Sequence, residues 1–357
     1  MIIDKRGVKI LNINTFLIQE NTEHLSRYGL NKKEIELFFN PNATYEERLH
    51  HGLHIIKKVL RKHEKEEMTY HLFDLALIEP FYGNIDKNSR DHVIHSLQTY
   101  ILGIYLNEFF LAPIEKNVKI FQWKLAGLFH DIGYPVKIGR DILSTYANQR
   151  NEIEIAHEFS RPKVFFEIRP VNFEILCNDQ NSFILMQRCL DNWHLQIDIK
   201  SEFEKMIKEG SIHHGALSAL SVLNIIDLYY EKLIPDRRNQ INRRSNIPVN
   251  QHQINFENDI IPSCAAMFIH DLKSESFQEG KINRRYAPLA FLLKLSDCLQ
   301  EWQRPCSDFP NGVPPERFSI EITQRKLIFS ANVPKPRRER IKAEIFGCLD
   351  AADIEIY

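Results

Sequence analysis

His130 and Asp131 stand side by side at the end of an apolar helical run, Lys124-Leu-Ala-Gly-Leu-Phe-His-Asp-Ile-Gly-Tyr-Pro135. Gly133 and Pro135 follow at once and stop the helix, so an imidazole and a carboxylate are delivered together at a helix end. Such a pair suits a divalent metal, because the carboxylate can bridge two ions while the imidazole takes one. His-Asp dipeptides are common, and most make surface hydrogen bonds. The rest of the chain gives this one weight: His95 precedes it, and His214, His270 and Asp297 follow, each on a helix with apolar residues.

Asp297 is the most informative of these. Ala290 and Leu293 lie seven and four residues before it, so it falls on an apolar helical face. A lone carboxylate there needs a cation, a metal or a dense hydrogen-bond shell, since its burial costs roughly several kcal/mol. A salt bridge to Lys294, or to an arginine of another helix, answers that need as well as a metal does. His214 and His270, the latter after Phe268 and Ile269, pose the same question. One core histidine is usually satisfied by hydrogen bonds, but a His, His-Asp, His, His, Asp order spread over five helices is hard to explain that way. His213 competes with His214 for the ligand role, and the small residues at helical spacing after position 214 favour His214.

The elements that must position these residues are expected to be helices. A short one is predicted over 31–39 and stopped by Pro41, and Thr44-Tyr-Glu-Glu reads as a capping box for the next, which runs to Arg61. His50, His51 and His54 on that helix have no acidic partner among them and read as a solvated face. Further helices are predicted over 72–81, from His92 onward with Gly103 as a close-approach point, and over 121–129. Residues 138–208 read as less regular helix, with His157 and His194 at the surface. Gly210-Ser211 breaks the chain before an apolar helix, Pro262 opens the one that carries His270, and Pro288 opens the one that carries Asp297, expected to run to Arg304. Between them, residues 235–258 read as a polar exposed loop or insertion with Arg237, Arg238, Arg243 and Arg244, expected to be solvated and to have no essential role in chemistry.

After Pro305 the period changes. Phe318-Ser-Ile-Glu-Ile and Leu327-Ile-Phe-Ser-Ala-Asn-Val alternate with period two, which predicts a β-hairpin; a helix over 336–349 and a returning strand over 353–357 follow. The predicted architecture is thus mainly α, with a small C-terminal α+β unit. Its divisions are an N-terminal helical extension (1–69), a metal-binding helical domain (70–310) and the α+β appendage (311–357).

The 357 residues are 43% hydrophobic and 26% charged, ordinary for a soluble globular protein, and a net charge of −1 argues against a chain organised as a whole around nucleic acid or an anionic membrane. Local basic stretches keep a nucleic-acid partner open, although no aromatic residues interleave the arginine-rich loop for base stacking. The start has no apolar signal-peptide core, and no run of eighteen apolar residues occurs. The six cysteines lack CxxC spacing and read as reduced thiols, so the expected setting is cytoplasmic.

The order His95, His130-Asp131, His214, His270, Asp297 resembles the HD-domain metal-dependent phosphohydrolase superfamily. The matching stretches are His95-Ser-Leu, Leu128-Phe-His-Asp-Ile-Gly, His214-Gly-Ala-Leu-Ser-Ala, Ile269-His-Asp and Leu295-Ser-Asp-Cys-Leu-Gln-Glu-Trp-Gln-Arg304, together spanning about residues 70 to 305. The resemblance implies an HD-domain-like helical bundle. It makes His95, His130, Asp131 and Asp297 the basic site, with His214 and His270 added in a two-metal version. The cofactor would be one or two divalent ions (Mn, Fe, Ni, Co, Mg or Zn), and the substrate a small phosphorylated molecule, foremost a nucleotide. His92 is the candidate proton donor to the leaving oxygen, an ordinary hydrogen-bonding role being its alternative. Lys137 and Arg304 are further catalytic candidates, and Arg90, Arg140 and Lys294 are candidates for holding phosphate. The same ligand order serves the myo-inositol oxygenase branch of the superfamily, so a di-iron oxygenase stays open, as does a non-catalytic nucleotide-binding or regulatory module. Gly133-Tyr-Pro135 spells the letters of the cyclic-di-GMP phosphodiesterase motif at the wrong place, and Tyr134 stands where that branch has Lys; the chain is not assigned to it. Homo-oligomerisation is left open.

Overall fold

The computed structural model describes residues 8–9, 22–61, 92–112, 118–134, 172–173, 180–233, 256–304, 309, 312–323 and 326–357. A β-strand, β1 (Val8–Lys9), precedes three N-terminal helices: α1 (Thr22–Arg27), α2 (Lys32–Phe38) and α3 (Tyr45–Arg61). Asn31 caps α2 by accepting from the Lys33 amide at 2.9 Å. The expected capping box opens α3, with the Thr44 amide donating to Glu47 at 2.9 Å and the Glu47 amide to Thr44 Oγ1 at 3.2 Å. These helices share one apolar core with the rest of the protein, through residues such as Tyr28, Phe38, Ile55 and Val59.

Next come α4 (His92–Tyr105), which continues as a π-turn over Leu106–Leu111, and α5 (Ile120–Phe129). Every residue of α4 is buried, as expected of a helix that is apolar on nearly all sides. Gly103 does what its position suggested: a Cβ there would overlap the Trp123 ring of α5, so the missing side chain sets the approach of the two helices. The helical expectation for 72–81, together with Arg90, Lys137, Arg140, His157 and the arginine-rich loop, lies outside the described residues.

The part read as less regular helix contains a two-residue antiparallel ladder, β2 (Asn172–Phe173) with β3 (Gln180–Asn181), then α6 (Ser182–Asn192) and α7 (Ile199–Lys208). His194 lies exposed in the turn between these two helices, against the Tyr286 ring. Three further helices follow: α8 (His214–Leu233), α9 (Ile261–His270) and α10 (Pro288–Leu299). α9 is buried along nearly its whole length and packs against α5, α6, α8 and α10, which makes it the centre of the helical body. α10 stops at Leu299, five residues short of the predicted end at Arg304. The Gln300 amide still reaches the Ser296 carbonyl, but Gln303 takes a positive φ of 58° and its amide pairs with Val313.

The C-terminal unit follows the predicted pattern. β4 (Phe318–Ile322) and β5 (Leu327–Ala331) form the hairpin, α11 (Lys335–Cys348) follows, and β6 (Ile354–Ile356) returns parallel to β5. The unexpected strand is β1, which pairs antiparallel with β4 through Val8–Ile322 and Lys9–Glu321. Val8 and Lys9 therefore belong to this sheet, where the edge of β4 offers unpaired backbone groups. The unit is sewn to the helical body by the Ile282–Leu349 bridge, by Asn283 to Asp350 at 2.7 Å and by the Arg284–Asp353 ion pair. Among the described residues no helix is long and apolar enough to cross a membrane.

Candidate metal centre

Four histidines and two aspartates meet where α4, α5, α8, α9 and α10 converge. His95 comes from the second turn of α4, His130-Asp131 from the end of α5, His214 from the start of α8, His270 from the last position of α9, and Asp297 from the last turn of α10. The contact between α5 and α8 depends on Gly133. Its amide donates to Ser218 Oγ at 2.8 Å, Ser218 Oγ donates to the His130 carbonyl at 2.5 Å, and a Cβ at 133 would overlap the His214 carbonyl oxygen.

Each imidazole is held by its Nδ1. His130 Nδ1 donates to the Gly127 carbonyl at 3.1 Å and His270 Nδ1 to the Met267 carbonyl at 2.6 Å, both within their own helices. His214 Nδ1 faces Asp271 Oδ2 at 2.7 Å. His95 Nδ1 meets Gln300 Oε1, whose orientation is set because Gln300 Nε2 donates to Gln98 Oε1 at 2.6 Å and to the Trp302 carbonyl at 2.9 Å. With an N–H at each Nδ1, assigned from these partners, the four Nε2 atoms point inward, where each can take a proton or a cation.

The inward atoms crowd one another. His95 and His130 Nε2 are 3.4 Å apart, and His214 and His270 Nε2 are 3.2 Å apart. Asp131 lies between the two pairs, with Oδ2 at 3.4 Å from His95, and Oδ1 at 3.5 Å from His130, 3.2 Å from His214 and 3.9 Å from His270. Asp297 Oδ1 closes the first pair at 2.9 Å from His95 and 3.7 Å from His130. Lone pairs facing lone pairs and carboxylate oxygens at these distances repel unless a proton or a cation stands between them. The donor set, imidazole nitrogen and carboxylate oxygen in overlapping clusters with ligand atoms within 4.8 Å of one another, could hold a metal ion.

The electrostatics point the same way. Burial would raise the Asp131 carboxyl, but His130, His214 and His270 hold it well below the usual carboxylate range; Asp297 is likewise held down by His130 and His95 against its burial. Burial pushes the His95 and His270 imidazoles down, and Arg304 adds to the effect on His95. His130 and His214 differ: burial pushes both down, but Asp131 and Asp297 override this at His130, and hydrogen bonds to Asp131 and Asp271 push His214 up to about 9. Asp131, Asp297 and Asp271 thus place three carboxylates around four imidazoles, an arrangement that attracts cations.

Of the remaining candidates, Arg304 is 19% exposed and pairs with Glu301 at 4.0 Å. Burial opposes its charge, but Asp297 and Glu301, with Asp131 beyond them, hold the guanidinium firmly ionised, and its charge in turn acts on His95. Lys294 does not face it. Its ammonium is buried and donates to the His270 carbonyl at 2.8 Å, so it supports the C-terminus of α9, not an incoming phosphate. His92 stacks on Tyr134 at 4.1 Å between ring centroids, and Tyr134 stacks on His214 at 4.1 Å, so the His92 ring approaches His214 only through the tyrosine. His213 lies outside the cluster, which takes His214.

Three participants went unnoticed in the sequence. Asp271 follows His270 directly but serves His214, a partner 57 positions away in the chain and adjacent only in the fold. Gln300 was hidden by the expectation that α10 continues past it. Tyr134 was set aside with the Gly-Tyr-Pro letters, and no local signal marks it as a stacking residue. No protein-family model, curated protein or solved structure matches this chain.

Proposed function

We propose that the protein is a hydrolase of small phosphoesters, with an HD-domain-like helical body that holds two divalent ions. The observation that carries this reading is the inward convergence of four Nε2 atoms on one carboxylate, that of Asp131, with each imidazole held at its Nδ1. His95, His130, Asp131 and Asp297 would hold one ion and Asp131, His214 and His270 the other, in line with the resemblance of the motif order. When bound, such ions lower the pKa of a shared water and offset the charge that develops on phosphorus oxygens.

The chain's own groups supply the rest. Asp131 and Asp297 are held ionised, so they are ready ligands without loss of a proton. Arg304 supplies a fixed, always-charged fork for a phosphate oxygen, and Glu301 orients it. Glu301 in turn accepts from Arg340 at 3.1 Å and from Arg337, so α11 of the C-terminal unit stiffens the turn that carries Arg304.

The test is metal analysis of protein purified without chelators, followed by reconstitution with manganese, iron, nickel, cobalt and magnesium and a screen of nucleotides and other phosphoesters. The expected result is about two ions per chain and anaerobic release of phosphate or cleavage of a diester. Turnover that needs iron and dioxygen would transfer the site to oxygenase chemistry. Failure to bind more than trace metal would end both enzyme readings.

A further inference from the structure

We propose that Tyr134, backed by His92, is a positioning residue that fixes the His214 imidazole for the second ion. The inference rests on the two-ion reading above.

His214 is the least enclosed of the four imidazoles. Its side chain is 12% exposed, against 3% for His95, 0% for His130 and 1% for His270. It is also the first residue of α8, whereas His95 and His270 are each preceded by residues of their own helices, α4 and α9. The Nδ1 partners of the other three are backbone carbonyls or a buried amide, but that of His214 is the carboxylate of Asp271, itself 29% exposed and on a turn. The contacts with Asp271 at Nδ1 and with Asp131 at Nε2 both act at the ring edge. A further restraint, on the ring face, fixes the tilt of the imidazole.

Tyr134 supplies that restraint. Its ring lies 4.1 Å from the His214 ring with 18° between the planes. On its other side the His92 ring lies 4.1 Å away at 25°. His92 is 5% exposed and stands three residues before the ligand His95 on α4. The stack therefore runs from α4, through the end of the His-Asp segment, to the first residue of α8, and ties a ligand of the second ion to the helix that carries a ligand of the first. Because imidazoles cover both faces of the tyrosine ring, no substrate ring can stack on it. In this proposal the stacked faces of the ring do the positioning.

The test titrates metal-free protein with cobalt(II) and measures bound metal after desalting for the wild type and for Tyr134→Phe, Tyr134→Leu and His92→Leu. The wild type and Tyr134→Phe should each take up two ions with matching affinities. Tyr134→Leu and His92→Leu should keep the first ion unchanged and bind the second about tenfold more weakly or worse, within the range for loss of a ligand-orienting partner. Wild-type affinities for both ions in folded Tyr134→Leu would overturn the inference, as would joint loss of both, or a Tyr134→Phe protein that behaves like Tyr134→Leu. Should Tyr134→Leu fail to fold, His92→Leu decides by the same criterion. A wild type that takes up one ion refutes the inference and leaves the metal reading standing, whereas one that takes up none refutes the metal reading itself.

Discussion

Asp131→Asn perturbs the centre with the least change of shape. The carboxylate is 4% exposed, and its two oxygens lie between 3.2 and 3.9 Å from the Nε2 atoms of all four histidines. In the proposed two-ion arrangement Asp131 is the shared ligand, so the amide should weaken both ions, while His214→Ala should weaken only one. Loss of a partner that merely orients a ligand costs 10- to 100-fold in metal affinity. Loss of the shared ligand itself should therefore exceed about 100-fold at each ion, or about 2.8 kcal/mol at about 1.4 kcal/mol per decade. At a metal concentration that just saturates the wild type, Asp131→Asn should retain well under one ion per chain and His214→Ala about one. Metal analysis on desalted, folded protein gives the count, and circular dichroism confirms folding. Equal stoichiometry in the two variants would refute the claim that Asp131 is shared.

Other outcomes follow from the surroundings of the cluster. Gln300→Leu leaves His95 Nδ1, Gln98 Oε1 and the Trp302 carbonyl without this partner; the first ion should bind roughly 10- to 100-fold more weakly while the second is unaffected, measurable in the same titration. Gly133→Ala puts a methyl into the His214 carbonyl oxygen and within 2.8 Å of Leu217 Cβ, so metal-free protein should lose at least about 1–3 kcal/mol in denaturant unfolding; an unchanged midpoint would contradict the packing. Arg304→Gln should lower kcat/KM for a phosphoester by roughly 10- to 100-fold, the worth of a charge-assisted hydrogen bond, with metal content unchanged. Metal loss in that variant would show that Arg304 supports the ligands and does not hold substrate.

Much of the architecture was legible because it rests on local rules. The period of α4, the capping box before α3, Pro288 at the start of α10 and the alternation of β4 and β5 are each encoded within a few residues. The six clustered residues were legible for a related reason: a polar group on an otherwise apolar helical face declares that it meets a partner. Which partner it meets is not encoded there. The end of α10 was misread because the residues after Leu299 still suit a helix, whereas the observed turn is held by the tertiary pairing of Gln303 with Val313. Val8–Lys9 gave no usable period, since two residues become a strand only when the edge of β4 is there to pair with them.

The sequence by itself therefore determined which residues would be drawn inward, because burial preference and helical period act over a turn or two of chain. The tertiary structure alone decided how they are wired. It paired Asp271 with His214 instead of its neighbour His270, turned Gln300 onto His95, placed Tyr134 between two imidazoles and set Lys294 under a helix end. These choices depend on side-chain directions at the crossing of helices far apart in the chain, fixed by contacts such as the one Gly133 permits, and no local pattern carries that information.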